Sequence, residues 1–158
     1  MMIMATYFSP KGNPEIWEEK PEGYFTPEEW AAAHPAPEPT FEELRENKMT
    51  EMLYSFGQRV SGAIRTKDGY LMQFDTSDSL KMQGAIQLME ATGQTEGYLT
   101  QADDTTVYHV PLATMKVVLT DMLAAYAACH ARKQELRATI KAAETTEDLD
   151  AVVISWPV

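Results

Sequence analysis

The imidazole and thiol side chains able to carry acid–base, nucleophilic or metal chemistry are few and scattered. The histidines are His34, His109 and His130, and the single thiol is Cys129. None of them stands at i, i+3 or i, i+4 from another, the helical spacing that turns two ligands toward one ion. Adjacent residues such as Cys129 and His130 diverge by about 100° around a helix. A nucleophilic Cys129 would need His109 or His130 as base, with a strand-to-helix elbow or a glycine-rich oxyanion loop nearby. Neither feature accompanies it, and its place after Leu119, Met122 and Tyr126 reads as a small buried hydrophobe.

Carboxylates are plentiful, with adjacent pairs at Glu18-Glu19, Glu28-Glu29, Glu42-Glu43 and Asp103-Asp104. Two of these pairs fall at helix starts, where carboxylates meet orphan N–H groups and the positive end of the helix dipole. Asp103-Asp104 falls in a turn. A glycosidase-like pair needs a buried acid beside an ionised one, and no pattern marks such an arrangement. Gly57, Gly62 and Gly69 are too dispersed to cradle a phosphate, and neither nucleotide-binding fingerprint occurs. The expectation is a protein with no catalytic residue, no metal and no cofactor.

The 158 residues carry 24 Asp and Glu against 13 Lys and Arg, a formal charge of −11. That surface repels phosphate backbones and argues against direct nucleic-acid binding. With 44% hydrophobic residues the chain can bury a core. No apolar run is read as a membrane span, and the opening Met1-Met2-Ile3-Met4-Ala5 lacks the basic region of a signal peptide. A soluble, unprocessed protein is expected, in a cytosolic or virion setting that suits a single cysteine.

The elements that must position these groups begin after a proline-rich stretch. Residues 1–48 hold ten of the carboxylates and a net charge of −6, and Pro10, Pro14, Pro21, Pro27, Pro35, Pro37 and Pro39 all lie in them. A short strand is expected over 5–9, a turn over 11–14, and a helix from the capping box Thr26-Pro27-Glu28-Glu29 to about His34. Pro35 to Pro39 form an extended linker, dividing an acidic, aromatic arm, 1–39, from a domain over 40–158. There a second capping box at Thr40 opens a helix to about Val60. Asp68-Gly69 marks a hairpin between 61–65 and 70–74, and a helix runs from the caps at 75–78 to Gly93. A second hairpin joins 98–100 to 105–110, Pro111 starts a long helix to about Ala143, Thr145 caps a last turn, and 152–156 form a strand or tail. The fold class predicted is α+β, a helix–hairpin–helix–hairpin–long helix domain with a proline-rich N-terminal arm.

Two surfaces stand out for binding. Tyr7, Trp17, Tyr24, Phe25 and Trp30 either pack on one another or anchor a partner. Leu112, Met115, Leu119, Met122, Tyr126, Cys129, Leu136 and Ile140 follow heptad spacing, broken once by Lys133, and form a helix–helix seam. The seam is intramolecular, against the helices starting near Thr40 and Asp78, or it joins copies in a homo-oligomer. Met82, Met89, Met115 and Met122 read as core filler, although methionine also suits adaptable contact surfaces.

The order of motifs over 40–158 resembles a known family. It combines Asp68-Gly69, Phe74-Asp75 with Ser77-Asp78-Ser79, Gly84-Ala85, Tyr98-Leu99-Thr100-Gln101-Ala102-Asp103-Asp104-Thr105-Thr106-Val107 and the run Ala124 to Arg132. It closes with Glu147-Asp148-Leu149-Asp150-Ala151 and Ile154-Ser155-Trp156-Pro157. Together these are similar to a domain of unknown function found in bacteriophage and prophage tail proteins, and the likeness covers about three quarters of the chain. Tyr7-Phe8-Ser9, Tyr24-Phe25 and Thr26-Pro27-Glu28-Glu29-Trp30 look like the openings of tail-fibre assembly and tail-fibre-associated proteins. The resemblance implies a non-enzymatic tail component or assembly chaperone, partnered by a tail-fibre or baseplate protein, in the host cytoplasm during assembly or in the virion tail. A second expectation is an acidic phage protein that inhibits a host nucleic-acid enzyme by phosphate mimicry. A third, an enzyme acting on surface glycans, would need two carboxylates facing each other in a cleft.

Overall fold

Proline placement decides where the N-terminal residues can be regular. The structure is a computed structural model that describes residues 4–103 and 105–157, divided into two compact units, Met1–Pro39 and Thr40–Val158. In the first unit, β1 (Ala5–Phe8) pairs antiparallel with β2 (Pro14–Trp17), Ala5 opposite Trp17 and Phe8 opposite Pro14. The sequence reading ended at a turn over 11–14 and did not include β2. Pro14 sits at the first position of that strand, where a missing donor does least harm. Gly12 makes the turn with φ 83°, and a Cβ there would lie 3.0 Å from the Trp30 ring. Phe8 and Phe25 exchange backbone hydrogen bonds of 2.8 and 2.9 Å, adding a bridge on the other side of β1. Helix α1 (Pro27–Ala33) follows a complete capping box: Thr26 Oγ1 accepts from the Glu29 N–H, and Glu29 Oε2 accepts from the Thr26 N–H.

The second unit is mixed α+β. Helix α2 (Phe41–Val60) starts at the same kind of box, built by Thr40 and Glu43. The antiparallel strands β3 (Ala63–Arg65) and β4 (Leu71–Gln73) are shorter than expected, because Ser61 ends α2 and the fully buried Phe74 leads into the N-cap of the next helix. Gly69, at φ 90°, closes their turn. Helix α3 (Thr76–Thr92) is capped by Asp75 and stopped by Gly93 at φ 72°. Strands β5 (Glu96–Thr100) and β6 (Val107–Pro111) pair antiparallel, and Pro111 leads into the 31-residue α4 (Leu112–Ala142). A short α5 (Thr146–Asp150) is capped by Thr145. Residues 152–156 are a tail rather than a strand, held where the Trp156 indole N–H donates to Ser55 Oγ at 2.8 Å.

Two apolar clusters form the core. The first gathers Ile64, Met72, Phe74, Ile86, Met89, Leu99 and Val110 around Met115, Val118, Met122, Ala125 and Cys129 of α4. The second gathers Met52, Ala143, Leu149 and Val152 around Leu136 and Ile140. Each fully buried aliphatic side chain contributes about 1.5–3 kcal/mol by leaving water.

This packing bears on one sequence expectation, and the composition of α4 corrects another. Met115, Met122, Cys129, Leu136 and Ile140 are buried by the chain itself, with Leu112, Leu119 and Tyr126 half-buried beside them. The line therefore packs within its own unit, and its inward companions are Val118 and Ala125. At the heptad break, Lys133 keeps its ammonium 4.1 Å from the centre of the Phe56 ring. Second, although no apolar run is expected to span a membrane, α4 is long and apolar enough by length and composition to cross one. About a third of that apolar window is buried in the domain. Ile140→Ala is expected to destabilise the unit by about 2–5 kcal/mol, whereas Leu123→Ala, on the exposed side of α4, is expected to cost less than about 0.5 kcal/mol. Urea unfolding followed by circular dichroism measures both.

Candidate functional site

Alternation along β1 and β2 sorts the aromatic residues of the first unit onto two faces. Phe8 and its bridge partner Phe25 lie on one side, where Trp30 stacks on Phe8 with centroids 5.7 Å apart and meets Phe25 edge-on at 5.4 Å. His34 completes this group, its ring stacked at 3.7 Å on Trp30 and its Nδ1 3.2 Å from the Trp30 carbonyl. Tyr7, Trp17 and Tyr24 occupy the opposite side. Trp17 meets Tyr24 edge-on at 6.2 Å, and the Tyr24 hydroxyl donates to Glu15 at 3.1 Å. That carboxylate, as acceptor and as a negative charge, pushes the phenol above its ordinary value.

Of the five aromatics expected to bind a partner, Phe25 and Trp30 are thus occupied in holding the unit together. Tyr7, Trp17 and Tyr24 form a separate patch, with Trp17 43% exposed. The ring packing expected from the sequence is thus observed on both faces, around Trp30 on one and between Trp17 and Tyr24 on the other. The division was legible in principle from strand alternation, but only once β2 was known to pair with β1.

The titratable groups are engaged singly. His109 Nε2 lies 3.6 Å from Glu96 and its ring 4.9 Å from Tyr98, while His130 lies 3.4 Å from Gln134 Nε2. Among the described residues no group of three His, Cys, Asp or Glu side chains is placed to hold a metal ion. Cys129 is fully buried, its Sγ 3.7 Å from the Pro157 carbonyl, and burial pushes the thiol up against the opposing pull of Arg59.

Every shifted carboxylate moves downward. Glu29 is lowered chiefly by the Lys20 ammonium at 2.7 Å and then by the Thr26 N–H. Glu43 is lowered by the Thr40 N–H and hydroxyl, and Asp148 by the N–H of Glu144 with the Thr145 groups. Asp103 is lowered by the N–H groups of Thr106 and Thr105 in its turn; Asp104 lies outside the described residues. These acids stabilise caps and a turn, a chemistry opposite to that of a raised general acid.

The second unit adds a feature that sequence did not announce. A cavity of about 300 Å³ opens between β4, α3, β5 and α4, floored by Met72, Met82, Met115 and Met122 and edged by Gln73, Asp78, Lys81, Tyr98 and Gln101. The only signal for it was the number of methionines at helical positions.

These features describe a small α+β protein with an aromatic N-terminal unit and a domain centred on one long helix. Residues 43–153 match the family model described as a domain of unknown function (DUF4376), and the chain belongs to that family. No curated protein and no solved structure matches it.

Two predictions follow from the geometry. Trp30→Ala removes the ring that touches Phe8, Phe25, His34 and Gly12, in a unit too small to spare it. Hydrogen exchange at the amides of Phe8 and Phe25 is expected to rise about 100-fold or more, the equivalent of about 3 kcal/mol. The lowered carboxylates work in the other direction from a buried histidine: their stabilisation is present above the ordinary carboxylate range and disappears as pH falls through the depressed folded values. Protection of the Thr145 and Asp148 amides, taken relative to the intrinsic exchange rate at each pH, should fall on acidification below about pH 4. Asp148→Asn, which cannot titrate, should flatten that dependence.

Proposed function

We propose that this protein is a non-enzymatic, phage tail-fibre-associated protein, a virion component or an assembly chaperone, that acts by binding another polypeptide. We read residues 40–158 as a helix–hairpin–helix–hairpin–long helix domain and residues 1–39 as the arm that docks. The observation that carries the reading is the Tyr7, Trp17 and Tyr24 face, which presents an exposed indole on a unit whose structural aromatic group lies on the opposite side. Aromatic residues of this kind supply large contact area at low conformational cost and anchor interfaces. The partner class, a tail-fibre or baseplate protein, comes from the resemblance of the motifs. The long helix offers its apolar row to its own domain, which leaves the arm as the docking surface of this reading.

Phosphate mimicry is the competing reading, supported by the exposed Glu18, Glu19 and Glu28. Glu29 does not belong in its test, because Glu29 caps α1 and pairs with Lys20. The deciding experiment measures affinity for the fibre protein encoded nearest to this gene, with Trp30 left intact. Under docking, Trp17→Ala weakens binding by about tenfold or more, and charge reversal at Glu18, Glu19 and Glu28 changes it less than about threefold. The reverse order, or no fibre binding by the parent protein, overturns the proposal.

A further inference from the structure

The two hairpins of the second unit come close to forming one sheet, and the way they fail to do so marks a second binding surface. In β5 and β6 the Leu112 N–H donates to the Thr95 carbonyl and the Gln101 N–H to the Thr106 carbonyl. Antiparallel alternation then directs the main-chain groups of Gly97 and Leu99 toward β6, and those of Tyr98, Thr100 and Ala102 away from it. Pro111, opposite Glu96, fits this parity, since that position needs no donor. In β3 and β4 the Thr66 N–H donates to the Tyr70 carbonyl, which directs the groups of Leu71 and Gln73 away from β3.

The two outward edges meet at one point. The Ala102 N–H donates to the Leu71 carbonyl at 2.9 Å, and there the ladder stops. The Leu71 N–H donates at 2.8 Å to the Gln101 side-chain carbonyl, which takes the place of the next main-chain acceptor. Beyond that point, among the described residues, no hydrogen bond reaches the outward main-chain groups of Gln73, Tyr98 or Thr100. The cavity of about 300 Å³ opens along this divergence. Its walls therefore combine unpaired main-chain donors and acceptors with a floor of thioether side chains, which adapt to aliphatic side chains of different shape. The charged side chains that line it are one acid and one cation, Asp78 and Lys81, 3.5 Å apart, so its rim carries no net charge.

We propose that this cleft binds an extended segment of a partner protein, added as a strand to the free edge of β5, with one aliphatic side chain over the methionine floor. Main-chain hydrogen bonds give such strand addition its affinity, and the pocket for an alternate side chain gives its specificity. This site lies within the second unit and stands independently of the arm reading.

The test uses the 15N-labelled full chain and peptides of sequence Thr-Lys-Thr-X-Thr-Lys-Thr, with X Met, Leu or Val. The expected result is saturable shifts at the amides of Gln73, Tyr98 and Thr100. Binding should be at least tenfold tighter than for the same peptides N-methylated at alternate residues, or with aspartate at X. Ala85→Arg places a bulky cation in the wall of the cleft at an exposed helix position. It should weaken binding tenfold or more without altering the spectrum elsewhere. Thr100→Pro, at a position whose N–H the β6 ladder does not use, should do the same. Absence of binding by every peptide, equal binding of the N-methylated forms, or indifference to Ala85→Arg overturns the proposal. Trp17→Ala should leave peptide binding unchanged, so that failure here and failure of the arm to bind a fibre protein are read separately.

Discussion

The second unit depends on a single packed surface, the inward row of α4. Met115, Val118, Met122, Ala125 and Cys129 close the first cluster, and Leu136 and Ile140 close the second, so one helix belongs to two cores that otherwise share few residues. The elements around it are small: the hairpins have strands of three to five residues and could not bury a face alone. They are stable because α2, α3, β5 and β6 all pack against the same helix. Trp156, held by Ser55, touches both clusters and joins the tail to this arrangement. Lys133, with its ammonium over the Phe56 ring, bridges the interval between them without burying a bare charge.

The first unit is organised differently. Among its described residues no large hydrophobe is buried, and the order comes from stacked rings, one backbone bridge and a capping box. Such a unit has little stability to lose and leaves much aromatic surface available. The same scarcity of core that makes Trp30 structurally indispensable leaves Trp17 free for contact.

Electrostatics follows a similar division of labour. A chain of charge −11 would ordinarily be destabilised by self-repulsion, yet many of its acids sit where unsatisfied N–H groups favour them. Glu29, Glu43 and Asp148 complete capping boxes, Asp75 caps α3 and Asp103 closes a turn. The acids left uncommitted, such as Glu18, Glu19 and Glu28, remain on the surface and set what the protein repels.

Local chemistry was legible from the residues themselves. Thr26, Thr40, Asp75 and Thr145 announce helix starts because their side chains answer nearby N–H groups. Gly69 and Gly93 mark chain reversals because they adopt positive φ, and Pro111 marks the entrance to α4. The strand β2 was not legible, since Glu15-Ile16-Trp17 gains its order only from β1 across the turn. Nor did the heptad spacing of α4 say which surface it would cover; its own domain covers that row, and the inward companions Val118 and Ala125 became clear only when α2 and α3 were in place. The cleft beside β5 is the extreme case, because the parity of a strand's main-chain groups and the distance between two edges belong to pairing partners far apart in the chain. Sequence by itself determined where the helices begin and where the chain reverses, through contacts spanning a few residues. Only the tertiary structure decided which faces were buried and which edges stayed open, because those depend on long-range packing that no local spacing encodes.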